Sequence, residues 1–171
     1  EEWHSFYFDS QFSGPDAAAC LAHMNNSMDQ TRAFLKAMDV SIITFGTSFV
    51  YSHIESRQIV SNCHKIPSAQ FDHRMLSSGE LENAMAKTIQ ILRSFNSEMR
   101  FILTVSPVRH WKDGAIRNQI SKAALILAIH KIAGNDERIF YFPSYEILMD
   151  DLRDYRWYGS DLLHPTSQAV E

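Results

Sequence analysis

The stretch Asp39-Val40-Ser41-Ile42-Ile43-Thr44-Phe45-Gly46-Thr47 decides how this chain is read. It is rich in β-branched and apolar residues, too apolar for an edge, and ends in small ones. Such a run predicts a buried strand of a parallel sheet. Gly46 and Thr47 then fall just past its C-terminal end, where open α/β sheets hold their ligands.

The same unit recurs downstream. Arg100-Phe101-Ile102-Leu103-Thr104-Val105, broken by Pro107, predicts a second buried strand, and Arg138-Ile139-Phe140-Tyr141-Phe142 a third. Between them Ile116, Ile120, Ala124 and Leu127 set a helical stripe, widened by Leu125, Ile126 and Ile129. That pattern predicts a largely buried helix over residues 115–133. Ser77-Ser78-Gly79-Glu80 has the form of a capping box and opens a helix to about Phe95, striped by Leu81, Met85, Ile89 and Leu92. Strands alternating with helices of this length call for an α/β protein with a mostly parallel sheet covered on both faces.

Three other stretches complete the outline. Residues 1–12 are aromatic without a period, a loop or short strand over a core. Ser13 reads as the N-cap of a helix reaching about Met38, with Pro15 in its first turn and Asp16 at its third position. Its apolar face would be Leu21, Met24, Met28, Phe34, Leu35 and Met38. Residues 49–62 predict a β-hairpin excursion, turning near Glu55-Ser56-Arg57. Pro143-Ser144 predicts a capped short helix through Leu152.

A chain of 171 residues suits one domain, and at that size roughly 70% of the unfolded surface is buried. With 45% hydrophobic and 21% charged residues, the composition is that of a globular protein. A net charge of -4 and the lack of any basic run argue against a nucleic-acid partner. No apolar run is long enough for a membrane span. Cys20 and Cys63 form neither a disulfide framework nor a metal-binding pair, which is compatible with a reducing, cytoplasmic setting. Because the sequence opens without Met and stops at Glu171 as a helix starts, a single domain cut at both ends is expected. No Gly-rich nucleotide cradle is present, and no cofactor is implied.

The chemistry concentrates near the C-terminus, in Ser160-Asp161-Leu162-Leu163-His164-Pro165. An Asp three residues before a His can bond one imidazole nitrogen, fix the tautomer, and leave the other as a general base. His64, Arg109 and His110 lie in loops expected at the same sheet edge, and Arg109 has the fork that grips a carboxylate or phosphate. The nucleophile candidates are Ser48, Ser106 and Cys63, none in a recognisable nucleophile context. Cys63, His64, His110 and His164 lack compact metal-ligand spacing, so no metal site is assigned.

Taken in order, the motifs resemble the GSCFA family. They are Trp3-His4-Ser5, Thr44-Phe45-Gly46-Thr47 with Val50-Tyr51, and Asn62-Cys63-His64-Lys65-Ile66-Pro67. Thr104-Val105-Ser106-Pro107-Val108-Arg109-His110 follows, with Asp113-Gly114 and Asn118-Gln119-x-Ser121-Lys122-Ala123. The series ends with Tyr141-Phe142-Pro143-Ser144-Tyr145-Glu146, residues 151–156, and Asp161-x-x-His164-Pro165. That family is grouped with the SGNH-type hydrolases. The resemblance implies a flavodoxin-like three-layer α/β/α sandwich and a serine esterase or acyltransferase acting on a small-molecule or glycan acyl ester. It implies Asp161 as orienting carboxylate and His164 as base. Oxyanion or substrate contacts would come from Gly46, Thr47, His64, Arg109 and His110. Ser48 and Phe49 stand where the superfamily's Asn and Asp are expected, leaving His64 or Arg109 as substitute donors. The Gly-Ser-Cys-Phe-Ala motif itself is absent from this sequence, so the first strand and the nucleophile are expected upstream. A non-catalytic sugar- or acyl-binding module, using Arg109, His110 and residues 155–158, is the alternative.

Overall fold

The computed structural model describes residues 2–171. In chain order its elements are α1 (Ala17–Ala37), β1 (Val40–Phe45), β2 (Phe49–His53), β3 (Ile59–Val60), β4 (Phe71–Met75) and α2 (Ser78–Arg93). They continue with β5 (Arg100–Val105), α3 (Gly114–Ala133), β6 (Ile139–Phe142), and the short turns α4 (Ser144–Glu146) and α5 (Ser167–Val170). Among the described residues, no helix is long and apolar enough to cross a membrane. The chain divides into two compact units, Glu1–Met38 with Phe49–Met75, and Asp39–Ser48 with Leu76–Glu171.

The second unit carries the parallel sheet, in the order β1-β5-β6. β1 pairs with β5 from Val40–Arg100 to Phe45–Val105, and β5 with β6 from Phe101–Ile139 to Thr104–Phe142. The central strand is the most deeply covered, with Phe101, Leu103 and Val105 fully buried. That is why β5 reads as an unbroken apolar run. α2 lays Leu81, Met85 and Ile89 into the core, and α3 packs against α2, β5 and β6. A parallel sheet flanked by helices in a mixed α/β chain agrees with the three-layer α/β/α expectation. Among the described residues β1 has no strand on its outer side, so it forms a sheet edge. Ile42, Phe140 and Phe142 are more than half exposed.

The first unit holds an antiparallel sheet, β3-β2-β4. The expected hairpin is there, β2 pairing with β3 from Tyr51–Val60 to Ser52–Ile59. β4 pairs on the other side of β2 and was not anticipated. Its sequence, Phe71-Asp72-His73-Arg74-Met75, puts charge mid-strand. The pairing is supported instead by His73, whose ring stacks on Tyr51 at 4.4 Å.

Three helix details correct the sequence reading. α1 begins after Asp16, whose carboxylate accepts the Ala19 N–H at 3.0 Å. Ser13 cannot cap because Gly14 is already exchanging backbone bonds with Trp3, at 2.7 and 3.1 Å. Of the face assigned to α1, Leu21, Met28 and Phe34 stay exposed, and Cys20 is the buried residue. On α3, Ile116, Ile120 and Leu127 point outward, while Asn118, Ser121, Lys122, Leu125, Ala128, Ile129 and Ile132 form the buried stripe. Ser144 does not cap a regular helix. Its hydroxyl donates to Val105 O at 2.8 Å, and α4 passes into a π turn, Ile147–Asp151. By contrast, Ser77 and Glu80 close the anticipated capping box.

Candidate active site

Asp161 and His164 lie together, in a loop folded tightly on itself. Trp157 O accepts the Thr166 N–H at 2.9 Å, His164 O accepts the Gly159 N–H at 2.8 Å, and Gly159 O accepts the Leu162 N–H at 2.9 Å. Within that frame Asp161 Oδ1 accepts the backbone N–H groups of Leu163 and His164 at 2.8 and 3.0 Å. Its Oδ2 faces His164 Nδ1 at 2.6 Å. The bonds to His164, ring first and then backbone, hold the Asp161 carboxyl down at about 2, below its ordinary 3.8. It is therefore an acceptor at neutral pH, so Nδ1 carries the proton of the neutral ring and Nε2 keeps its lone pair. The His164 side chain is 63% exposed, open to a reactant.

Leu162, between the two, has φ +58°. The left-handed region costs a non-glycine residue on the order of 1 kcal/mol or more. Arg109 holds that turn: its guanidinium donates to Leu162 O at 3.0 Å, and its backbone N–H donates to Leu163 O at 3.2 Å. The same guanidinium lies over the Tyr158 ring at 4.0 Å and the Tyr155 ring at 5.6 Å. Arg109, read from sequence as a substrate or oxyanion ligand, thus reaches the loop between Asp161 and His164.

Gly46 and Thr47 do follow the end of β1, and they are bound to α3. Lys122 is buried, and its ammonium donates to Gly46 O at 2.5 Å and Ser106 O at 2.6 Å. It ties the ends of β1 and β5 together. Burial pushes its pKa down to about 8. Ser121 Oγ accepts the Ser48 N–H at 2.7 Å and the Ser48 hydroxyl at 2.9 Å, with Thr47 Oγ1 at 3.1 Å. His110 stands against Gly46: a Cβ on Gly46 would sit 2.9 Å from its Nε2, so any larger residue would displace the ring. The backbone N–H of His110 donates to Asn118 Oδ1 at 3.0 Å. Desolvation, then the Lys122 charge, lowers the His110 pKa against an upward pull from Asp113.

His64 belongs to the other compact unit. Its Nε2–H donates to Ser5 O at 2.8 Å, and its ring stacks on His4 at 4.6 Å. His64 and Lys65 have φ +48° and +64°, and the His64 N–H donates to Asn62 Oδ1 at 2.9 Å. This imidazole anchors the N-terminal segment through the contacts it makes.

The three nucleophile candidates fare differently. Ser48 is fully buried and bonded to Ser121. Ser106 Oγ accepts the Val108 N–H at 3.2 Å, as a turn cap does. Cys63 sits in the unit that does not contain Asp161 and His164. Among the described residues no group of three or more His, Cys, Asp or Glu is placed to hold a metal ion. A cavity of about 600 Å³ lined by Arg93, Asp136 and Ile139 lies where β6 begins, at the far end of the strands from these loops.

The sequence reading quotes Asn118, Ser121 and Lys122 as part of a motif but gives them no role. Their signal was present: 118, 121, 122, 125, 129 and 132 keep helical spacing, polar at one end and apolar at the other. The model of the GSCFA family matches residues 1–171. No curated protein and no solved structure matches.

Proposed function

The chain belongs to the GSCFA family, and on that premise we propose that it carries the base half of a serine ester hydrolase or acyltransferase. His164 is the general base and Asp161 the carboxylate that orients it. The observation that carries this reading is the 2.6 Å contact between Asp161 Oδ2 and His164 Nδ1 beside an exposed ring. In the proposed step His164 Nε2 takes the proton of a serine hydroxyl as its oxygen attacks the acyl carbon. The resulting imidazolium, steadied by Asp161, returns that proton to the departing alkoxide. The serine is proposed to lie outside this sequence: Ser48 is fully buried and bonded to Ser121, and Ser106 Oγ serves as a turn cap. Gly46, Thr47 and His110 act as the wall on which the strand-end loops are set and Arg109 as a brace on the base, and no role in the step is given to His64.

The reading is tested on a protein that extends this sequence upstream to include such a serine. Hydrolysis of 4-nitrophenyl acetate should lose about 10⁴- to 10⁶-fold in kcat on His164→Ala, the range seen when a member of a triad is removed. Turnover unaffected by that substitution would end the assignment.

A further inference from the structure

We propose that the alcohol part of the ester is a sugar, held on an aromatic cleft beside the His164 loop. The proposal rests on the hydrolase reading for its place in a reaction, but not for its geometry. Two shallow hollows meet at Arg109, Met149 and Tyr155. One, of about 180 Å³, is lined by Trp111, Gln119 and Tyr145 together with those three. The other, of about 220 Å³, continues past Tyr155 toward Tyr158 and Arg153. Both are smaller than the roughly 300–1,000 Å³ of cavities that take drug-sized ligands. Each suits a single ring, and the pair suits two adjoining ones.

The lining has two kinds of surface. Trp111 is 51% exposed and Tyr155 67% exposed, large flat faces left open to water. Against them stand groups that can bond hydroxyls. The Gln119 carbonyl oxygen is fixed by the Tyr145 hydroxyl, so its amide N–H groups are oriented. The Arg109 guanidinium, anchored to Leu162 O through one nitrogen, keeps further donors. A pyranose matches both kinds: its C–H faces lie on the negative faces of aromatic rings, and its rim hydroxyls take the polar groups. A plain acyl chain would use the rings but gain nothing from the oriented amide and guanidinium groups, which a sugar's hydroxyls can bond.

The position connects the cleft to the base. Arg109 lines both hollows and is hydrogen-bonded to Leu162 and Leu163, the two residues between Asp161 and His164. Met149 reaches the cleft from the π turn Ile147–Asp151, a distortion common where helices serve a site.

Saturation-transfer NMR on the 171-residue chain tests this with xylotetraose, cellotetraose and chitotetraose, and with ferulic acid as a non-sugar aromatic. At least one tetrasaccharide should bind. Trp111→Ala and Tyr155→Ala should each weaken it tenfold or more, Tyr155→Phe less than threefold, and Leu127→Ala, exposed on α3 outside both hollows, not at all. Both truncated side chains are exposed, so the variants remain folded, which a thermal melt verifies. Binding of none of the three sugars, binding indifferent to both truncations, or binding of ferulic acid alone would overturn the proposal. Because the readout is binding and not turnover, loss of the catalytic reading leaves this result standing, and the reverse holds too.

Discussion

Leu162 is the residue that shows how the site is held. A leucine at φ +58° is strained, and the strain persists because its neighbours bond in ways that require it. Asp161 Oδ1 collects the next two N–H groups, and Arg109 takes the Leu162 carbonyl. On the proposed reading Arg109 is therefore a positioning residue for His164, acting through the loop, besides lining the cleft. Arg109→Ala should lower kcat in the serine-bearing protein by about 100-fold, the cost of displacing a catalytic group by roughly 1 Å, with a smaller change in KM. Arg109→Lys should not restore it, because an ammonium lacks the planar fork and the stacking on Tyr158. In ¹⁵N NMR of the neutral ring, the wild type should show His164 Nδ1 protonated, and Arg109→Ala a mixture of tautomers. With 4-nitrophenyl acetate, which carries no sugar, a rise in KM at constant kcat would show that Arg109 does not brace the base. Asp161 and His164 themselves were legible in sequence, since the partners are three residues apart. The brace was not, because Arg109 and Leu162 are far apart in the chain and meet only once the strand-end loops come together.

At the scale of elements, α3 decides what the strand ends do. The three parallel strands were legible because burial on both faces removes alternation and leaves apolar runs. The face of α3 was misread because two stripes compete, and the one whose first turns are apolar, Ile116, Ile120 and Leu127, is the exposed one. The buried stripe ends in Asn118, Ser121 and Lys122, which bond the loops after β1 and β5. Pattern reading discounts such residues because polar groups are seldom buried without partners, and here the partners come from other elements. Lys122→Met should cost about 1–3 kcal/mol by leaving two carbonyls without their donor. The wild-type amine loses its proton near pH 8 when folded, against an ordinary 10.5. Between those values the unfolded chain holds a proton that the folded chain does not, so the Lys122 contribution to stability rises with pH. Urea melts at pH 8 and 10 should show a more positive pH slope for the wild type than for Lys122→Met. Equal slopes would show that Lys122 is not buried as described.

For the whole molecule, the α/β class, the parallel sheet and the family were within reach of the sequence, because they rest on long apolar runs and ordered motifs. The pairing of β4 was not, since it depends on a partner strand twenty residues away and has little apolar signature of its own. On the proposed reading the catalytic apparatus is divided: the unit with the parallel sheet presents Asp161 and His164, and the attacking serine comes from outside residues 1–171. Labelling with a fluorophosphonate, followed by peptide mapping, tests that division most directly. The serine-bearing longer protein should be labelled at a serine preceding residue 1, and His164→Ala should abolish the label. Labelling at Ser48, Ser106 or any other serine of this sequence, or labelling that survives loss of His164, would contradict the account.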